Sequence, residues 1–65
     1  MEVKDKVIRK FIDTDGYEYV IRRKANGHYN LVKFKNGVGE TVATRKLAIF
    51  MYLKEVYKEK GLKEE

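Results

Sequence analysis

Apolar and polar residues alternate in short runs that are broken at Asp13-Thr14-Asp15-Gly16, Asn26-Gly27, Asn36-Gly37 and Gly61. The richest part is residues 19–46, YVIRRKANGHYNLVKFKNGVGETVATRK, where two Asn-Gly pairs separate runs of β-branched or aromatic residues mixed with lysine and arginine. A type I′ turn needs φ > 0 at both central residues, which Asn and Gly tolerate, so each pair predicts a hairpin. Together they predict an antiparallel meander.

Residues 3–12 read as a first strand, with Val7 and Phe11 on one side and Ile8 and Ile12 on the other. Residues 17–25 form the second, dividing Tyr17, Tyr19 and Ile21 from Glu18, Val20, Arg22 and Lys24. Residues 28–35 form the third, dividing His28, Asn30, Val32 and Phe34 from Tyr29, Leu31, Lys33 and Lys35. Residues 38–43 make a short fourth strand with Val42 as its core residue.

After this the period changes. Ile49, Phe50, Leu53, Val56 and Tyr57 recur at helical spacing, which predicts a helix over residues 45–60 with Thr44 as its N-cap and Gly61 just beyond its end. Residues 62–65 are expected to fray. The fold class is therefore α+β: a three- to four-stranded antiparallel β-meander with one C-terminal α-helix packed on one sheet face, in a single domain over residues 1–61. A sheet this small needs such a cover. If Tyr19, Ile21, Val32, Phe34 and Val42 meet the helix, the open face displays Val20, Arg22, Lys24, Tyr29, Leu31, Lys33 and Lys35. This arrangement puts no lysine under the helix, although Tyr29 and Leu31 would pack nearly as well inward.

Charge sharpens the picture. The whole chain carries +5, but residues 22–46 alone hold seven cations and one anion, Glu40. A basic balance favours anionic partners. Cations alternating along one strand face stand about 7 Å apart, a spacing at which one strand can meet successive phosphates. The expected nucleic-acid contacts are Arg22, Lys24, Tyr29, Lys33, Lys35, Arg45 and Lys46. Arg22 could read a guanine edge, and Tyr29 could stack on an unpaired base.

Other chemistry is thin. The single histidine, His28, flanks a turn, and no cysteine is present. Asp13, Asp15 and Glu18 lack the twelve-residue calcium-loop pattern and are explained by turn formation. No glycine-rich phosphate loop, cofactor site or metal cluster is indicated, so an enzyme is not expected. With no apolar run long enough to span a bilayer, the expectation is a cytoplasmic protein without a membrane role.

The motifs Arg22-Arg23-Lys24, Asn26-Gly27-His28-Tyr29, Leu31-Val32-Lys33-Phe34-Lys35, Asn36-Gly37 and Thr44-Arg45-Lys46-Leu47-Ala48 resemble a known pattern. The segment containing them is similar to the amino-terminal arm-type DNA-binding domain of phage and transposon tyrosine integrases, a domain related in shape to that of plant ethylene-response factors. The resemblance implies a three-stranded sheet lying in the major groove with a helix behind it. It would make Arg22, Lys24, Tyr29, Lys33 and Lys35 the sheet contacts, with Arg45 and Lys46 near the DNA backbone. The expected function is non-enzymatic gripping of double-stranded DNA by the open sheet face. The alternative is a small protein-interaction module (a phage inhibitor, an antitoxin-like protein or a designed scaffold) that pairs through an edge strand or the helix flank, with a protein partner or a second copy.

Overall fold

The computed structural model describes residues 5–65. Five strands and one helix follow in order: β1 (Lys6–Asp13), β2 (Glu18–Arg23), β3 (Tyr29–Lys35), β4 (Val38–Ala43), α1 (Lys46–Lys60) and β5 (Leu62–Glu64). The strands form one antiparallel sheet in the order β4-β3-β2-β1-β5, and α1 crosses one of its faces. The α+β meander with a covering helix is thus present, with one strand more than the alternation predicts. Val3 and Lys4, expected at the start of β1, lie outside the described residues.

The extra strand is a correction. Residues 62–64, expected to fray, pair with the end of β1 as Phe11↔Glu64, Ile12↔Lys63 and Asp13↔Leu62. Gly61 makes this possible: at φ 77° its N–H donates to the Tyr57 carbonyl at 3.0 Å and stops the helix. Leu62 then packs against the core, and its neighbours satisfy backbone groups on the free edge of β1.

The two Asn-Gly pairs make different turns. Asn36 and Gly37 both have positive φ, 53° and 79°, as a two-residue type I′ hairpin requires. At the first pair only Gly27 does, at φ 87°. Here Gly27 N–H donates to the Lys24 carbonyl at 2.9 Å, and Lys24 N–H donates to His28 at 2.7 Å. These bonds close a three-residue loop, Ala25-Asn26-Gly27, and Asn26 Oδ1 accepts from His28 N–H at 3.1 Å.

One additional loop residue shifts the register by one and turns β3 over. A two-residue turn would have paired Ile21 with Val32 and Tyr19 with Phe34. The observed pairs are Tyr19↔Lys33, Ile21↔Leu31 and Arg23↔Tyr29. Tyr29 and Leu31 therefore face the helix, while Val32 and Phe34 face away, the reverse of the expected assignment. A bulge at Ile8 does the same on β1: Val7 pairs with Arg22 and Arg9 with Ile21. Ile8 consequently joins Phe11 on the helix side, and Val7 joins Ile12 on the other.

The core lies between α1 and the middle of the sheet. Tyr19 (1% exposed), Leu31 (0%), Ala43 and Ile49 are its buried members, with Phe11, Ile21, Leu53, Val56 and Leu62 packed around them. On β4 it is Ala43, opposite Leu31, that is buried, whereas the expected Val42 is only half-buried. The helix is also rotated from its expected setting. Tyr52 packs on Tyr19 with ring centroids 6.2 Å apart, so Ile49, Tyr52, Leu53 and Val56 point inward. Phe50 and Tyr57, expected in the core, are 64% and 65% exposed. A helix on a flat sheet buries an arc of roughly 100°, and these two lie beyond it.

The face of the sheet away from the helix has its own apolar strip. Val20 is buried there between Lys10 and Val32, and Phe34 lies across Gly39 on β4. A Cβ at position 39 would run into the Phe34 ring. Gly39→Ala is accordingly expected to cost about 1–3 kcal/mol in urea unfolding. In the Phe34→Ala background it should cost less than about 0.5 kcal/mol, because the clashing ring is gone.

Asp13 ties the turn to the core. Its carboxylate accepts from the Tyr19 hydroxyl at 2.6 Å and from the backbone N–H groups of Asp15 and Tyr17 at 2.8 and 3.0 Å. Burial alone would push this carboxyl up, but those three donors and nearby Lys60 outweigh it and hold it below the ordinary 3.8. Burial and the neighbouring carboxylate push the Tyr19 hydroxyl well up, so it stays a donor. Because the folded carboxyl titrates lower than the unfolded one, its stabilisation is present above pH 3.8 and is lost as pH falls through the folded value. Asp13→Asn is expected to lower stability at neutral pH by about 2 kcal/mol. For a chain of this size that is a Tm lower by roughly 8–16 °C. Circular-dichroism melts should also show a shallower acid limb than in the unsubstituted chain.

Candidate nucleic-acid interface

The turned-over β3 redistributes the seven expected contacts. Arg22 keeps its place on the helix-free face, opposite Asn30, and Lys24 follows it at the loop. Tyr29, Lys33 and Lys35 lie on the helix side, and no continuous basic face exists among the described residues. The helix-free face instead mixes Lys10, Arg22 and Lys63 with Glu18, Asn30, Thr41 and the Val20–Val32–Phe34 strip. Arg22 is itself half-buried, and its Nε has no hydrogen-bond partner among the described residues.

On the helix side the cations gather at the two ends of β3, each time around a tyrosine. At the far end, the ammonium groups of Lys33, Lys35 and Lys60 stand 4.2, 4.5 and 5.6 Å from the centre of the Tyr17 ring. Acids balance this group: Lys60 bonds Asp15 at 2.9 Å, which raises the lysine's pKa, and Glu40 is the cross-strand partner of Lys33.

The other end is different. The β2–β3 loop and the start of α1 enclose a cleft of about 520 Å³ lined by Arg23, His28, Tyr29, Arg45 and Lys46, with no acid in its wall. Lys46 Nζ stands 4.8 Å from the Tyr29 ring centre. The local fold explains the grouping. Leu31↔Ala43 brings the end of β4 beside the start of β3, so the chain leaves β4 and enters the helix directly over Tyr29. Arg45, not Thr44, is the N-cap residue; it is extended (φ −129°, ψ 150°) and makes no side-chain cap bond. The first turn of α1 has no acidic residue, so its free amides and the positive end of the helix dipole add to the cationic cleft.

Around this cleft the register collects still more charge. Lys6 is opposite Arg23, and Val7 opposite Arg22, while Asp5 accepts from Ala25 N–H at 3.3 Å. Among the described residues, this end of the molecule thus holds Lys6, Arg22, Arg23, Lys24, Arg45 and Lys46 against Asp5, a net +5. The eight other cations among the described residues are matched by eight anions. The net charge lies at one tip of a body with extents of 40 × 26 × 18 Å.

Of the expected contacts, then, Tyr29, Arg45 and Lys46 share the cleft, Arg22 and Lys24 flank it, and Lys33 and Lys35 stand apart. Arg23 and Lys6 were missed. Arg23 falls between Arg22 and Lys24 on the other side of the strand from the expected basic face, and only the sheet pairing places Lys6 beside it. No three His, Asp or Glu side chains among the described residues form a group able to hold a metal, and no described helix is long and apolar enough to cross a membrane. Comparison with protein-family models, with curated proteins and with solved structures finds no match for this chain.

Proposed function

We propose that the chain is a non-enzymatic nucleic-acid-binding module that holds double-stranded DNA with the basic end of its sheet. The observation carrying this reading is the collection of the net charge of the described residues at the tip formed by the β2–β3 loop and the helix start. The contact surface differs from the open sheet face suggested by the sequence, while the ligand class is the one implied by the resemblance to integrase arm-type domains.

The tip suits a duplex for a geometric reason. Arg22 and Arg23 project from opposite faces of the same ribbon, with Lys24 and His28 at the loop. A major groove about 12 Å wide admits a two-stranded ribbon and has phosphates along both walls. Cations on both faces can meet both walls at once. Arg45, Lys46 and the open amides of α1 then reach the adjoining backbone. Contacts of this kind are mainly to phosphate, so affinity arises from counterion release and sequence preference is weak.

Fluorescence anisotropy of a labelled mixed-sequence duplex tests the reading. With six cations engaged, log K should fall against log[salt] with a slope of roughly −5. Reversing Arg23 and Arg45 to Glu together should weaken binding about a hundredfold and make the slope shallower by about 2. Reversing Lys33 and Lys35 to Glu should change affinity by less than about threefold, since these lie at the charge-balanced end. Absence of binding at low salt, or equal losses from both pairs, would overturn the proposal.

A further inference from the structure

A second surface lies on the flank of α1 that faces β1 and β5. Two adjoining hollows of about 360 and 470 Å³ share Phe11, Phe50 and Leu53 and together make one groove. Ile8 stands at one end of it, and Tyr57 and Leu62 at the other. The groove follows α1 from Lys46 to Tyr57, about 17 Å at the helical rise, or three turns of a second helix laid alongside. Phe50 and Tyr57 are the most exposed aromatic rings on the helix, and the adjoining outer face adds Leu47 and Met51. Helix α1 is therefore apolar on two sides, one under the sheet and one without a partner.

The rim decides what can fill it. Arg9, Lys46 and Lys54 border the groove, against Glu64, which is already bridged to Arg9 at 3.3 Å. The helix of a second copy would bring Lys54 and Lys58 together with Glu55 and Glu59, a face of no net charge that does not answer a cationic rim. An acidic helix meets both requirements. We propose that the groove is a docking site for an amphipathic acidic helix of a partner protein. Its apolar side chains, at i, i+3/i+4 and i+7, sit on Phe11, Phe50 and Leu53, and its flanking carboxylates meet Lys46 and Lys54.

The site is tested without reference to nucleic acid. The probe is a synthetic amphipathic peptide helix with leucine at those spacings and glutamate on both flanks, titrated into the isotope-labelled full chain. A control peptide carries lysine in place of each glutamate. Saturable shifts centred on Ile8, Phe11, Phe50, Leu53, Tyr57 and Leu62 are expected, with the glutamate peptide binding at least about tenfold more tightly than the control. Phe50→Glu, at an exposed position where the fold should be kept, is expected to weaken the glutamate peptide about thirtyfold; circular dichroism checks that the variant is folded. Equal binding of the two peptides, shifts confined to the basic tip, or no saturable binding would overturn the proposal. So would binding to phosphatidylglycerol vesicles without binding to the peptide, which would assign the face to a membrane surface.

Discussion

The bond on which the rest of the molecule depends is the one from the Tyr19 hydroxyl to the Asp13 carboxylate. Tyr19 stands at the centre of the core with its ring against Tyr52, so its hydroxyl is cut off from water and must find an acceptor. Asp13 is placed to be that acceptor by the turn it begins, and its remaining lone pairs organise the turn through Asp15 and Tyr17. The same short loop holds Lys60 through Asp15, and Asp13 is the residue opposite Leu62. One buried carboxylate thus relates the first hairpin, the centre of the core and the end of the helix. It also fixes which face of β2 points inward.

That face was legible in the sequence, because Tyr17, Tyr19 and Ile21 alternate without ambiguity. The face of β3 was not. Both of its sides carry apolar residues, Tyr29 and Leu31 on one and Val32 and Phe34 on the other, so alternation leaves the choice to the loop. Asn-Gly occurs twice, yet at Asn36-Gly37 it makes the whole turn, whereas at Asn26-Gly27 it closes a loop one residue longer. The dipeptide announces a reversal but does not fix its length, and length sets register. Everything that rested on the basic open face followed from that single residue. The bulge at Ile8 is a similar local choice on β1. The helix was legible in its extent but not in its rotation, because an apolar residue occupies nearly every direction around it and tertiary packing selects among them. The charge of the segment was plain from the chain; its collection at one tip required the pairing of strands that the sequence does not spell out.

The two outward-looking surfaces differ in kind. The tip is cationic, built from loop and helix start around an open cleft. The groove is apolar and concave, built from helix flank and edge strand. They meet at Tyr29 and Lys46, which line both the basic cleft and the upper part of the groove. Lys46 lies over the Tyr29 ring, and this pair forms the boundary between the charged and the greasy parts of the surface. A ligand that draws Lys46 to one side alters the edge of the other.

The pairing of β5 with β1 also sets how the fold responds to force. The strands are antiparallel, and Glu64 lies opposite Phe11 while Glu65 N–H donates to the Lys10 carbonyl at 2.9 Å. The chain therefore leaves β5 in the direction from which it entered β1. Tension between those two points loads the ladder one rung at a time and does not shear all rungs together. A pull transmitted through the chain would peel β5 from the edge before it loaded the core, making this strand the mechanical fuse of the sheet.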